Sequence, residues 1–209
     1  TAARPHGVGS VSGPVDLGAG SYGYDAAGNQ ITRPGQTLTY NEVGKVSKVV
    51  TGSASQSNVY SPDGSLLLRV SSVEGAALFV GDTTLQQSAG STVTSGVRTY
   101  SGFDGKPVAQ RSAKTGTAGT TVTWVFTGLD GTVDTTVVPS SGVVQRTFRD
   151  PFGVPLGGAS GVWGDGTGFL GKPVTASSKL TTVGARTYDP VLGKFTSVDP
   201  VGDPDSPQQ

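Results

Sequence analysis

The side chains that could carry out acid/base chemistry are gathered near the C-terminus. Four aspartates occur there, Asp189, Asp199, Asp203 and Asp205. Paired carboxylates can shift each other's pKa far enough to serve as a general acid and a general base. An Asp that precedes Pro is ordinarily a turn residue, however, because its side chain accepts hydrogen bonds from nearby backbone N–H groups. The residues alone therefore favour the turn role for Asp189 and Asp199.

Nucleophilic and metal chemistry have few candidates in this chain. His6 is the single histidine, it lies in a stretch rich in Gly and Ser, and there is no cysteine. A Ser-His-Asp triad needs a histidine held by surrounding structure, and a zinc site needs several His, Cys or carboxylate ligands. We therefore expect no metal, no cofactor and no catalytic centre of these kinds.

Two further patterns only imitate ligand sites. Four Asp-Gly pairs resemble part of the calcium-loop motif, and they begin at Asp63, Asp104, Asp130 and Asp165. They lack the alternating Asp/Asn ligands and the terminal Glu of an EF-hand. We expect them to be turns. The glycine-rich stretch from Gly153 to Gly171 follows no βαβ unit, so it is not predicted to hold a phosphate.

Aromatic side chains offer a different kind of site. Sugars stack on exposed rings, and the rings that could serve are those of Tyr22, Tyr24, Trp124 and Trp163. For Trp124 we predict inward packing, because Val122 and Phe126 share its face of an alternating strand. A carbohydrate-binding surface remains an alternative.

Charge and hydropathy indicate which classes of partner the chain is not expected to bind. The chain has 15 basic and 15 acidic residues, a formal net charge of +0 and no Lys/Arg cluster. Nucleic acid and anionic membranes are therefore not expected partners. No apolar stretch approaches the roughly 20 residues that span a bilayer, so we expect no membrane insertion. We expect a soluble piece of a longer protein.

A repeated unit organises the chain. An aromatic residue is followed by a short turn that ends in Gly, at Tyr24, Tyr40, Tyr60, Tyr100, Phe126, Phe148 and Tyr188. Asp, Asn, Pro and Gly supply turn conformations, and the runs between turns alternate between polar and apolar residues as strands do. With 33 Gly and 13 Pro, long helices are improbable. The predicted fold is all-β, with meandering β-hairpin repeats forming a curved sheet or part of a β-shell.

The repeat resembles a known family. Residues 24–29 match the Tyr-Asp-x-x-Gly-Asn signature of YD repeats, and residues 148–153, 168–171 and 184–200 look like the core associated with Rhs proteins, of the actinobacterial type. Residues 1–20, rich in Gly and Ser, are predicted to be a flexible lead-in. The resemblance implies that residues 21–140 form YD-type hairpin repeats and that 141–209 form the Rhs-associated core.

What the resemblance implies is a secreted or cell-surface protein that encloses a C-terminal toxin or effector in a hollow β-shell. Its partners are that cargo and the flanking repeats of the same polypeptide. In many members the core also cuts the chain at a downstream motif resembling Asp-Pro-x-Gly-Leu. Residues 199–202 match the first motif of that pair, and no second copy follows. If the parent chain cleaves itself, Asp199 and Arg186 are the residues to which the resemblance points.

These observations lead to one expected function and two alternatives. The expected function is a structural, non-catalytic shell segment. The alternatives are a surface module that binds carbohydrate or protein, and an autoproteolytic core in the full-length chain. Since a sheet cut from a longer one exposes unpaired edges, edge-to-edge self-association is also expected.

Overall fold

A computed structural model describes residues 7–14 and 18–199, and these fold almost entirely as β-strands and turns. His6, Asp203 and Asp205 lie outside the described residues, as do residues 1–5 and 15–17 of the predicted lead-in. The strands are β1 (Ser10–Val11), β2 (Gly20–Ser21), β3 (Gly23–Tyr24), β4 (Gln30–Arg33), β5 (Gln36–Tyr40), β6 (Val46–Thr51), β7 (Ala54–Tyr60), β8 (Leu66–Ser71), β9 (Gly75–Val80), β10 (Thr83–Gln87), β11 (Thr94–Ser101), β12 (Pro107–Lys114), β13 (Thr121–Thr127), β14 (Val133–Val138), β15 (Val143–Arg146), β16 (Thr181–Val183), β17 (Arg186–Asp189) and β18 (Lys194–Phe195). Phe169–Gly171 form a 3-10 turn, and no helix in the described ranges could cross a membrane.

Strands β3 to β15 form one antiparallel sheet of 13 strands, arranged in the order in which they occur in the chain. Each strand therefore pairs only with its neighbours in sequence, which is what a run of hairpins produces. The prediction of a meandering, curved all-β sheet is confirmed, and the sheet does not close. The sheet extends to Arg146, and two small sheets, β1–β2 and β16–β17–β18, accompany it.

One turn geometry recurs at one end of the sheet. In the β5–β6 turn the N–H of Asn41 donates to the carbonyl of Lys45 at 2.9 Å, and the N–H of Gly44 donates back to the carbonyl of Asn41 at 3.0 Å. Gly44 has φ +76°, which other residues avoid. The same pair of hydrogen bonds closes the turns at 25–29, 61–65, 102–106 and 128–132. The local sequence of the repeat thus specifies the turn.

The Asp-Gly pairs are turns, as predicted. Each carboxylate accepts a hydrogen bond from the backbone N–H two residues later, at distances of 2.9 to 3.1 Å, in Asp63, Asp104, Asp130 and Asp165. This contact satisfies an N–H that the turn would otherwise leave without a partner.

Tyrosines join consecutive hairpins. The hydroxyl of Tyr60 donates to the carbonyl of Val46 at 2.8 Å, and that of Tyr40 lies 3.0 Å from the carbonyl of Gln30. Burial raises the pKa of both hydroxyls to about 12, so both remain protonated donors near neutral pH. Tyr40 and Tyr60 therefore each join their own strand to the strand that precedes it in the sheet.

Residues 149–199 lie against one face of the large sheet and cover it. At one side of the sheet the covering is apolar, where Leu180 packs with Leu38, Val46 and Val49. Farther along, buried apolar residues such as Ala77, Val97 and Val125 alternate with buried polar ones, at Gln56, Arg69, Thr84, Gln110 and Thr136. Polar side chains therefore make up a substantial part of the core.

The prediction of inward packing for Trp124 is wrong. Trp124 and Phe126 are each 51% exposed and Val122 is 45% exposed, whereas Val125 between them is 4% exposed. The three large side chains do share a face, but it is the face opposite the covering segment. The covering segment packs on the other face, where Gln110 and Thr132 bond to it through Asp165 and Leu170.

Candidate functional site

Arg186 and Asp199, the two residues to which the family resemblance points, form an ion pair in the structure. The guanidinium of Arg186 contacts the Asp199 carboxylate, with 2.8 Å between Nη2 and Oδ2, and each side chain is 21% exposed. The guanidinium carbon lies 3.7 Å from the centre of the Phe195 ring. The pairing of β17 with β18 brings Phe195 beneath Arg186.

This arrangement holds a carboxylate in a fixed position that water can reach. The aromatic face orients the guanidinium, because a cation is attracted to the ring's negative face. The guanidinium in turn supplies a charge-assisted contact to Asp199. Such a carboxylate can accept or donate a proton, provided that a substrate bond is brought to it.

Asp189 does not join Asp199. It is 1% exposed, and its Oδ1 accepts from Arg33 Nη2 and from the backbone N–H of Val191, each at 3.0 Å. Burial raises the pKa of Asp189, against the opposing effects of Arg33 and the backbone N–H groups. The contact with Val191 is the turn role predicted from the sequence. The contact with Arg33 joins β17 to β4, at the other end of the chain.

The Arg33–Asp189 pair is not fully satisfied. Within residues 7–14 and 18–199, Arg33 Nε and Nη1 and Asp189 Oδ2 are buried with no hydrogen-bond partner. Removing two charges from water is unfavourable unless the geometry and the remaining hydrogen bonds compensate. The pair therefore holds β17 against β4 only while both charged side chains are present.

Other polar side chains fasten the covering segment along the sheet. Arg69 Nη1 donates to the carbonyl of Val174 at 2.7 Å and to Thr175 Oγ1 at 3.0 Å. Gln110 Nε2 donates to Asp165 Oδ2 at 2.7 Å. Burial lowers the pKa of Arg69, with Glu74 opposing that effect. Arg69 and Gln110 were not predicted from the sequence, although a polar residue at an inward position of a strand is the signal that could have found them.

The other aromatic residues considered for sugar binding make hydrogen bonds to the protein's own backbone. Tyr22 is 6% exposed and its hydroxyl donates to the carbonyl of Gly18 at 2.6 Å. Trp163 is half-buried, and its Nε1 donates to the carbonyl of Val133 at 2.9 Å. The hydroxyl of Tyr24 accepts from the N–H of Val8 at 3.2 Å. These three rings therefore do not form an open sugar-binding platform.

A cleft of about 560 Å³ lies between the sheet and the covering segment. It is lined by both charges, from Asp82, Lys106, Asp165 and Lys172, and by the ring of Phe79. Neither Arg186 nor Asp199 lines it. The cleft and the ion pair are therefore separate features.

The fold resembles solved structures of toxin complexes. A crystal structure of TcdB2-TccC3 aligns with a TM-score of 0.69 and 20% identity over 87% of this chain and 10% of that chain. A crystal structure of TcdB2-TccC3-Cdc42 gives the same values. A variant of the Photorhabdus luminescens Tc holotoxin pore aligns with a TM-score of 0.67 and 20% identity, over 86% of this chain and 9% of that chain.

At this identity the likeness concerns the fold. The chain spans about a tenth of the length of these structural neighbours. No protein-family profile and no curated protein sequence matches the chain.

Proposed function

We propose that this chain is a segment of a toxin- or effector-encapsulating shell of the Rhs/YD type, non-catalytic by itself. The observation that carries the proposal is the uninterrupted meander of 13 strands with residues 149–199 fastened across one face. The fold likeness to TcdB2-TccC3 supports it. The partners are the flanking repeats of the same polypeptide and its C-terminal cargo, in a secreted or cell-surface protein.

The proposed mechanism is steric. A sheet of hairpins forms a wall whose backbone groups are paired in the ladder, which leaves proteases no extended segment to bind. Its two edge strands, β3 and β15, each pair with one neighbouring strand of this sheet, so further repeats can extend the sheet there. The segment 149–199 is the element that closes the wall on its covered side.

The test uses the parent polypeptide with its cargo. We expect protease to spare the cargo in the parent and to digest it in Arg69→Ala, where the covering segment has lost a fastening. Lys48→Ala is the matched control, because Lys48 is an exposed cation on the same sheet. Equal digestion of cargo in the parent and in Arg69→Ala would argue against a sealing role for the segment.

A second candidate function rests on the Arg186–Asp199 contact of 2.8 Å. In this hypothesis the full-length chain cuts itself downstream, Asp199 acts as an acid/base with a second carboxylate from the downstream motif, and Arg186 positions Asp199. Mass spectrometry of the extended chain tests it. Loss of a defined cleavage in Asp199→Asn, with cleavage retained in Asp63→Asn, supports the hypothesis. Cleavage unaffected by Asp199→Asn, or none in either protein, leaves the chain as scaffold alone.

A further inference from the structure

The uncovered face of β11 to β15 carries an apolar row that crosses the strands. Register places five residues directly opposite one another along this row: Tyr100, Ala109, Trp124, Val137 and Val144. Tyr100 is 42% exposed, Trp124 51% and Val144 52%. Isolated exposed apolar residues need no explanation, but a contiguous row rimmed by polar groups marks an interaction site.

The row contains a slot between two aromatic side chains. Ala109 lies between Tyr100 and Trp124, on the strand that separates them. Because neighbouring strands are about 4.8 Å apart, the backbones that carry the two rings are about 10 Å apart. A ring with both faces in contact needs about 7–8 Å, since carbon atoms in contact lie about 3.5–4.0 Å apart. The spacing of the two backbones is therefore wide enough for a six-membered ring above Ala109.

Guanidinium groups lie beside this slot. Arg98 and Arg111 are exposed and stand directly opposite each other on β11 and β12. Like charges opposite one another destabilise a sheet. In the part of the chain that the structure describes, neither arginine takes part in a salt bridge. Their interactions are with neutral groups, since Arg111 Nε donates to Thr120 Oγ1 at 2.9 Å and Arg98 lies over the Tyr100 ring at 5.6 Å.

The paired strand residues on this face of β10 to β15 include no Asp or Glu, and a third guanidinium is present at Arg146. The one acidic residue in these strands, Asp134, stands at the bulge of β14, where it has no register partner on β13. Two adjacent cations without an acidic partner on their own face are complementary to an anion. The contacts that the fold gives them are to neutral groups only.

We propose that this face, centred on Tyr100, Ala109 and Trp124, binds an acidic polysaccharide. A uronate ring lies in the slot between the two aromatic rings, and its carboxylate contacts Arg98 and Arg111. A polypeptide fits less well, because the backbone groups of β11 to β14 are already paired and offer it no hydrogen bonds. This inference does not depend on the shell function.

The probe is an oligogalacturonate, with its methyl ester as the matched neutral ligand, and binding is measured by isothermal titration calorimetry. We expect binding that weakens as salt is raised, and that falls at least about tenfold with the methyl ester, because the charge-assisted hydrogen bonds are lost. Trp124→Ala and Arg111→Ala should each lower affinity about tenfold or more. Thermal unfolding should be nearly unchanged, because both side chains are exposed.

The matched control variants are Phe103→Ala and Lys48→Ala, which remove an exposed aromatic ring and an exposed cation that do not lie on strands β11 to β15. Both should bind the oligogalacturonate as the parent does. The proposal is overturned if the acid and its ester bind equally, if neither binds, or if Trp124→Ala binds like the parent. Equal binding of polyglutamate or of single-stranded DNA would also overturn it, because recognition would then be by charge alone.

Discussion

Arg33 on β4 donates a 3.0 Å hydrogen bond to Asp189 on β17, a contact that joins residues 156 positions apart. It is one of the two salt bridges between described side chains, and the more deeply buried one. It fixes the β16–β18 sheet over the first hairpin of the large sheet. The consequences for stability can be measured directly.

Removing one member of this pair should destabilise the protein strongly. Asp189→Ala leaves the Arg33 guanidinium buried without its counter-charge, which we expect to lower the free energy of unfolding by about 3–5 kcal/mol. The double variant Arg33→Met/Asp189→Leu, in which no charge remains, should recover most of that loss. Urea unfolding measures both. A double variant whose free energy of unfolding falls by the sum of the losses measured for Arg33→Met alone and for Asp189→Leu alone would contradict this account.

The buried tyrosine hydroxyls predict a loss of stability at high pH. The pKa of Tyr40 and of Tyr60 rises from 10.0 to about 12 in the fold. Because the pKa of each hydroxyl is higher in the folded than in the unfolded state, the contribution of the protonated hydroxyl to folding stability is complete below pH 10. It is lost as pH rises through 12, which should lower the free energy of unfolding by on the order of 1–3 kcal/mol for each hydroxyl.

Unfolding curves between pH 9 and about pH 12 test this prediction, with tyrosinate absorbance as an independent measure of ionisation. Tyr60→Phe should flatten the dependence on pH, whereas Tyr100→Phe, whose ring is exposed, should leave it as in the parent. A parent whose stability does not change over this range would be inconsistent with protonated, hydrogen-bonded hydroxyls.

Two glycines with similar backbone angles should respond differently to alanine. Gly44, with φ +76°, has open space where a Cβ would lie, so Gly44→Ala should cost about 1–2 kcal/mol of backbone strain. Gly75 has φ +94°, and its Cβ would overlap the backbone carbonyl of Gln87. We expect Gly75→Ala to cost more than Gly44→Ala in the same unfolding assay. Equal losses would show that the backbone near Gln87 can move at little cost.

The contact of Arg69 with Val174 and Thr175 should limit local opening of the covering segment. Arg69→Ala should raise the hydrogen exchange of residues 163–184 and lower the free energy of unfolding by about 2–4 kcal/mol, because buried acceptors lose their donor. Arg98→Ala, at an exposed position, is the matched control and should change neither. Unchanged exchange in Arg69→Ala would mean that the segment is held without this contact.

Sequence alone determined the all-β class, the turns and the order of the hairpins. These are local properties, since Gly44 supplies a positive φ and Asn41 or Asp130 caps an N–H within the same few residues. A chain of such turns can pair only neighbouring strands, so the meander follows from the repeat. Resemblance to a family singled out Arg186 and Asp199, but only the structure shows that they form an ion pair.

Only the tertiary structure decided which face of the sheet is covered and which residues fasten the covering segment. Alternation places Trp124 and Val125 on opposite faces, but it does not say which face another part of the chain will bury. That choice depends on residues far away in sequence, such as Asp189 and Val174, whose polar groups require Arg33 and Arg69 as partners. Pairing at such separations leaves no periodic signal in the sequence, because it depends on where the folded segments meet.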